Sequence, residues 1–243
     1  MFKIICVGGS PCKNVVNKCL TSFVRQSVSD WEMALILDPA DYDIYVKDPR
    51  ITVRINKKSK YSLVNALEAL KILDPDDEDV LVFMDADDWL TDDYESLAEV
   101  EKVYKEYSNT LVTHGSWVAF PSDAPGTLRP VNNPYRRGEF TNIRKIGWKA
   151  SQLRTMKYKL FKLIKDDSLR KANGEYFISG HDVAFMFPAL EMAGFDRVKF
   201  ISKFIYVYNK NGVSTQHTHK RQSYKDFKYL KERQSYRRLP KNF

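Results

Sequence analysis

Residues 80–89 read VLVFMDADDW: five apolar residues in a row, then three carboxylates within four positions. An unbroken apolar run of this length is a strand buried on both faces, as in the parallel sheet of an α/β domain. Its neighbours repeat the theme. FKIICVG (2–8) runs into the turn signal Gly8-Gly9-Ser10-Pro11, MALILD (33–38) also ends in a carboxylate, and ITVRI (51–55) alternates. Helical spacing fills the gaps. Val16, Cys19, Leu20, Phe23 and Val24 share one face over 14–27; Leu63, Ala66, Leu67, Leu70 and Leu73 share another, stopped by Pro75. Leu97, Val100, Tyr104 and Tyr107 mark a third helix over 91–107, for which Thr91, Asp92 and Asp93 suit a capped start. The expected fold is α/β: a mostly parallel central sheet with helices on both faces.

After residue 120 the pattern loosens. TLVTHGSWVAF (110–120) reads as one more strand, and 121–150 carries no period and reads as a loop. A basic stretch covers 157–171, then a helical segment near 181–193 is kinked or restarted at Pro188. VKFISKFIYVY (198–208) is the last strand signal, and a basic helix from Lys220 puts Tyr224, Phe227, Leu230 and Gln234 on one side.

Composition excludes several classes. The 243 residues are 43% hydrophobic with 14 Phe, 14 Tyr and 4 Trp, too rich for a disordered chain. No apolar run nears the roughly 18 residues of a membrane span, and the start MFKIICVGGSP is too brief for a signal peptide. Cys6, Cys12 and Cys19 lack CxxC spacing, which argues against zinc and a disulfide framework. A cytoplasmic protein is the expectation. The net charge of +8 hides an asymmetry: 13 basic and 22 acidic residues over 1–128, but 26 basic and 9 acidic over 129–243.

Asp85 and Asp87 follow the buried run directly. In open α/β sheets, ligands bind beyond the carboxyl ends of strands. There one carboxylate can meet a ribose hydroxyl and another a divalent cation; Mg²⁺ or Mn²⁺ takes hard oxygen ligands and bridges carboxylates to phosphates. Asp38 ends a second buried strand at the same sheet edge, where it can accept hydrogen bonds from a ribose or nucleobase.

The sequence N-x-x-N-x-x-L at 14–20, the helix end FVRQS (23–27), EMALILD (32–38) and FMDADD (83–88), in that order, resemble the GT-A-fold glycosyltransferases of family 2. The resemblance covers about 1–120, with weaker matches at 179–194 and 204–208. It implies a GT-A (Rossmann-like) sheet that binds a nucleotide-sugar, with Asp38 on the nucleobase or ribose, Asp85 on the ribose side and Asp87 on the metal. Asn65 matches a helix position near the donor, and nearby Lys60 is a candidate phosphate contact. Asp182, in SGHDVAF, stands where the family carries its general base, with His181 where Glu is usual. In several such enzymes a C-terminal His completes the metal shell; here, in TQHTH (215–219), His219 or His217 is the candidate, giving a metal set of Asp87, Asp85 and His219. The implied division is a donor half over 1–120, an acceptor-side half of the same domain over 121–216, and a basic helical tail over 217–243.

The resulting expectation is a metal-dependent inverting glycosyltransferase using Mn²⁺ or Mg²⁺, with a UDP-sugar donor favoured and a GDP-sugar as the other option. Its acceptor would be a glycan or glycoconjugate hydroxyl, with His114 and Trp117 as candidate pocket walls. The basic half then faces a diphosphate or an anionic acceptor, and the tail offers peripheral contact with an acidic membrane surface. Two other readings stay open. A sugar-1-phosphate nucleotidyltransferase also uses strand-end acids, although GGSPCKN lacks that class's Arg-containing loop. A non-enzymatic binder of anionic polymers would use the basic half, but no recognised nucleic-acid motif is present, which argues against nucleic acid.

Overall fold

A computed structural model of the chain describes residues 1–9, 13–40, 44–121, 134–212, 219–241 and 243. In chain order its elements are β1 (Phe2–Gly8), α1 (Lys13–Val24), β2 (Trp31–Leu37), β3 (Ile51–Ile55), α2 (Tyr61–Leu73), β4 (Val80–Asp85), β5 (Trp89–Leu90), α3 (Ser96–Glu106), β6 (Val112–Gly115) and β7 (Val118–Phe120). They continue with α4 (Ile143–Ile146), β8 (Ser151–Lys157), α5 (Tyr158–Phe161), α6 (His181–Ala193), β9 (Val198–Ile201), β10 (Tyr206–Asn209) and α7 (Lys220–Glu232).

Seven strands form the central sheet in the order β3-β2-β1-β4-β8-β6-β9. β8 runs antiparallel to both its neighbours and the remaining pairs are parallel. The continuous apolar strands are explained by burial on both faces. Ile5, Val7, Ala34, Ile36, Leu81 and Phe83 pack towards α2 and α6. The alternate residues Ile4, Cys6, Met33, Leu35, Val82 and Met84 pack towards α1 and α3. No helix among the described residues is long and apolar enough to cross a membrane.

Several sequence expectations change. The 110–120 and 198–208 stretches each split into two strands: β6 and β9 stay in the central sheet, while β7 and β10 join β5 in a second, three-stranded sheet. The chain breaks after Gly115, where an added Cβ would stand 3.1 Å from the Gln152 carbonyl and 3.2 Å from that of Ile201. The third helix starts at Ser96, not Thr91, because residues 89–90 are held in β5 by β10. The Thr91 hydroxyl bonds Asp93 (2.9 Å) and Ser96 (3.1 Å) in the intervening turn. α6 runs unbroken through Pro188. In α7 the docked residues are Ser223, Asp226 and Leu230, with Phe227 half-buried, whereas Tyr224 is 70% exposed and Gln234 lies past the helix end. Asp226 sets that rotation by accepting from the Ile178 N–H (3.3 Å) and the Gln222 amide (2.7 Å).

Part of the charge asymmetry is internal. The acidic turn before β4 pairs with cations of β8 and the following segment: Glu78 with Lys159 (2.6 Å) and Lys157 (3.4 Å), and Asp77 with Lys162. Those lysines link the two halves of the chain at the surface.

Candidate active site

A cavity of about 440 Å³ opens beyond the carboxyl ends of β1 and β4, with Gly8, Asp85 and Asp87 at its base. Trp117, Trp148, Arg154, Asp182 and Tyr208 are among its walls. Three elements converge there: the turn after β4, the middle of β8, and the first turn of α6.

Arg154 joins them. Its side chain is 3% exposed; Nη1 donates to Asp182 Oδ2 at 2.7 Å, and Nη2 stands 3.4 Å from Asp85 Oδ2. Gln152, two residues earlier on the same face of β8, donates to Asp85 at 3.2 Å, and His181 Nε2 lies 3.7 Å from the other Asp85 oxygen. Burial alone would raise the Asp182 pKa, but the charges of Arg154 and then His181 outweigh it and hold the carboxyl below its ordinary value. Asp182 is therefore an ionised acceptor, and its Oδ1 also takes the Val183 N–H (2.8 Å) at the start of α6. Arg154 Nε is buried without a hydrogen-bond partner.

Asp87 has the opposite electrostatics. Burial, then the charge of Asp85, pushes its pKa up to about 6, and no cation pairs with it among the described residues. Gly212 packs against it so closely that an added Cβ would fall 2.1 Å from Asp87 Oδ2. Asp88, adjacent in sequence, is structural: 1% exposed, it accepts from the Tyr206 hydroxyl (2.6 Å) and the Asn209 N–H (2.7 Å), fastening β10 over the site. This donor set fits a hard divalent cation. Asp87 is an uncompensated carboxylate that such an ion would neutralise, Asp85 is its neighbour, and Mg²⁺-type ions use one or two carboxylates and complete their shell with substrate phosphates. Among the described residues no group of three or more His, Cys, Asp or Glu could hold a metal by themselves.

The other expected ligand contacts are placed differently. Asp38 is 4% exposed and its carboxylate already accepts from five donors: the Lys60 and Tyr61 N–H groups, Ser59 Oγ, and the Asn65 and Asn56 amides. It caps the N-terminus of α2. Burial opposes ionisation there, but these hydrogen bonds lower its pKa. Asn65 is fully buried in the same network, and the Lys60 ammonium pairs with Glu68 at 2.6 Å. None of Asp38, Lys60 and Asn65 lines the cavity; α2 contributes Ser62 instead. Asp38→Ala is expected to destabilise the fold by about 2–4 kcal/mol, since it strands a helix start and two buried amides. Chemical denaturation measures this.

His219 flanks the start of α7, its ring edge-on to Tyr61 at 5.8 Å, and it is not among the described residues that line the cavity. His217 lies outside the described residues. Trp117 does reach the cavity, tilted against Tyr208 at 4.8 Å, whereas His114 is buried elsewhere. The sequence reading missed Arg154, Gln152 and Trp148. The polar strand SQLRTMK around the first two has a weak alternating pattern as its only local signal.

The sheet order and the acidic turn after its central parallel strand define the GT-A fold. No family model matches the chain, and no curated protein does. Solved structures are similar to it. S. aureus TarS 1–349 in complex with UDP superposes with a TM-score of 0.58 at 15% identity, over 95% of this chain and 64% of that one. TarS 1–349 in complex with UDP-GlcNAc gives 0.57 at 15% identity, over 90% and 61%. A longer TarS chain gives 0.58 at 16% identity, over 90% and 38%. TarS is a GT-A-type glycosyltransferase. The present chain thus spans between 38% and 64% of the length of these TarS chains.

Proposed function

We infer that this chain is an inverting, divalent-cation-assisted glycosyltransferase that moves a sugar from a nucleotide-sugar, a UDP-sugar first, to a hydroxyl of a glycan acceptor. The observation that carries this is Arg154, buried between a strand-end carboxylate (Asp85) and a helix-start carboxylate (Asp182) in one cavity. The TarS complexes with UDP and UDP-GlcNAc on the same fold support the donor class.

Asp182 receives the acceptor's proton as the hydroxyl oxygen bonds to the anomeric carbon. The bond from that carbon to the diphosphate oxygen breaks on the opposite face, and the electron pair leaves with the nucleoside diphosphate, so the anomeric centre inverts. Arg154 keeps Asp182 ionised and aimed before the acceptor arrives. Asp87, with Asp85, would hold Mn²⁺ or Mg²⁺, which supplies Lewis-acid neutralisation of the leaving diphosphate. Trp117 and Trp148 offer flat surfaces for sugar rings.

The test is thermal shift with UDP, GDP and ADP, each with and without Mn²⁺. UDP with Mn²⁺ should raise Tm, and Asp87→Asn should abolish that shift; no shift with any nucleotide would refute the reading. The same variant should be more stable than wild type without metal, by about 1–3 kcal/mol at pH 7.5. The sign follows from a folded pKa of about 6 against 3.8. The ionisation cost is full above pH 6 and absent below 3.8, so the variant's advantage should disappear in acid.

A further inference from the structure

A second cavity, about 640 Å³, lies against β9 at the edge of the central sheet and shares no lining residue with the cavity over Asp85. His114, on β6, is one of its walls and is 1% exposed. Its ring is packed between Tyr135 (centroids 5.7 Å apart) and Phe200 (5.3 Å). Its Nδ1 is buried with no hydrogen-bond partner. A position selected only for packing would be better served by Phe, because an orphaned buried polar atom is a standing cost. Burial also lowers the His114 pKa to about 4, so at neutral pH the ring is uncharged, with one donor and one acceptor nitrogen.

The rest of the lining is complementary. Phe195 and Val198 extend the apolar wall, and Arg136, Arg137 and Lys199 are the lining cations. Arg137 is shared with Asp196 at 2.6 Å and lies over the Phe195 ring at 4.7 Å. Arg136 forms no ion pair among the described residues, whereas the Lys199 ammonium lies over the Tyr107 ring at 4.5 Å. Aromatic walls, one neutral polar group and an excess of cations are what a ring bearing an anionic group requires, and the volume falls within the range of small-ligand pockets.

We propose that this cavity is a second, non-catalytic ligand site for a phosphorylated sugar, with His114 bonding a ring hydroxyl and Arg136 holding the phosphate. The ligand's source is either a free sugar phosphate or a phosphate-bearing unit of a longer polymer. The site stands on its own residues and does not depend on the transferase reading.

The test is isothermal titration of the full chain carrying Asp87→Asn, which keeps the first cavity from contributing metal-dependent binding. The probes are glucose 1-phosphate, N-acetylglucosamine 1-phosphate, glucose, inorganic phosphate and AMP. At least one sugar phosphate should bind about tenfold or more tightly than glucose or phosphate alone, and His114→Phe and Arg136→Gln should each weaken it about tenfold. His114→Phe should at the same time raise Tm, a gain in stability coupled to a loss of binding. Arg136 is exposed, so its variant folds regardless of the fate of His114→Phe. Oligomers of phosphodiester-linked sugars that bind more tightly with each repeat would support the site with a polymer as its source; equal affinity would support it with a free metabolite. Absence of sugar phosphate binding, equal binding of phosphate alone, tighter binding of AMP, or unchanged affinity in both variants would overturn the proposal. UDP binding with Mn²⁺, measured in His114→Phe on a chain that keeps Asp87, separates the two sites: it should be unaffected.

Discussion

Replacing Arg154 with methionine should lower stability by about 3–5 kcal/mol, because it strands Asp85 and Asp182 beside each other without their shared counter-charge. Their side chains are 25% and 24% exposed, so solvent relieves part of the cost and the lower end of the range is expected. In a chain of this size that is a fall of roughly 6–20 °C in Tm. The effect should depend on pH with a definite sign. The Asp182 pKa is held below 3.8 in the folded protein, against the pull of burial, by Arg154 first and His181 second. Its contribution is full above pH 3.8 and is lost as pH falls through the depressed folded value, so wild type and variant should converge in acid. Arg154→Lys keeps the charge but not the fork and should fall between them. A wild-type Tm and an unchanged acid limb in Arg154→Met would show that the bridge carries no stability.

Asp182→Asn should keep the Tm shift with UDP and Mn²⁺ yet reduce transfer by about 10³-fold, within the range contributed by a positioned general base. The change is isosteric. Arg154 retains an acceptor in the asparagine oxygen, so the fold and Asp85 are little disturbed. Release of the nucleoside diphosphate in the presence of acceptor measures the loss. Transfer within about threefold of wild type would remove Asp182 from the reaction and direct attention to His181, the adjacent residue whose Nε2 lies 3.7 Å from Asp85.

What could be read in advance follows from where chemistry coincides with local pattern. β1, β2 and β4 were legible because burial on two faces requires continuous apolar sequence, and Asp85 and Asp87 because they terminate such a run. β8 was not. Its polar residues are buried only because distant groups satisfy them: Thr155 meets Thr113 at 2.7 Å and Tyr104 at 2.9 Å, and Arg154 meets two carboxylates. No local pattern encodes a partner tens of residues away. Asp38 shows the converse. Its strand-end position was read correctly, but its oxygens are consumed by the start of α2, a destination set by tertiary folding.

The antiparallel insertion of β8 has a consequence for the order in which the protein is made. Asp85 leaves the ribosome 69 residues before Arg154, so the first half of the chain emerges with β4 as an open edge and an unneutralised acidic cluster. Only when β8 slots between β4 and β6 are the edge closed and Asp85 given its counter-charge, in one event. A nascent chain halted near residue 120 would expose the apolar rim of β4 to any neighbouring strand, which makes this stage the one at which chaperone capture or aggregation should compete with folding.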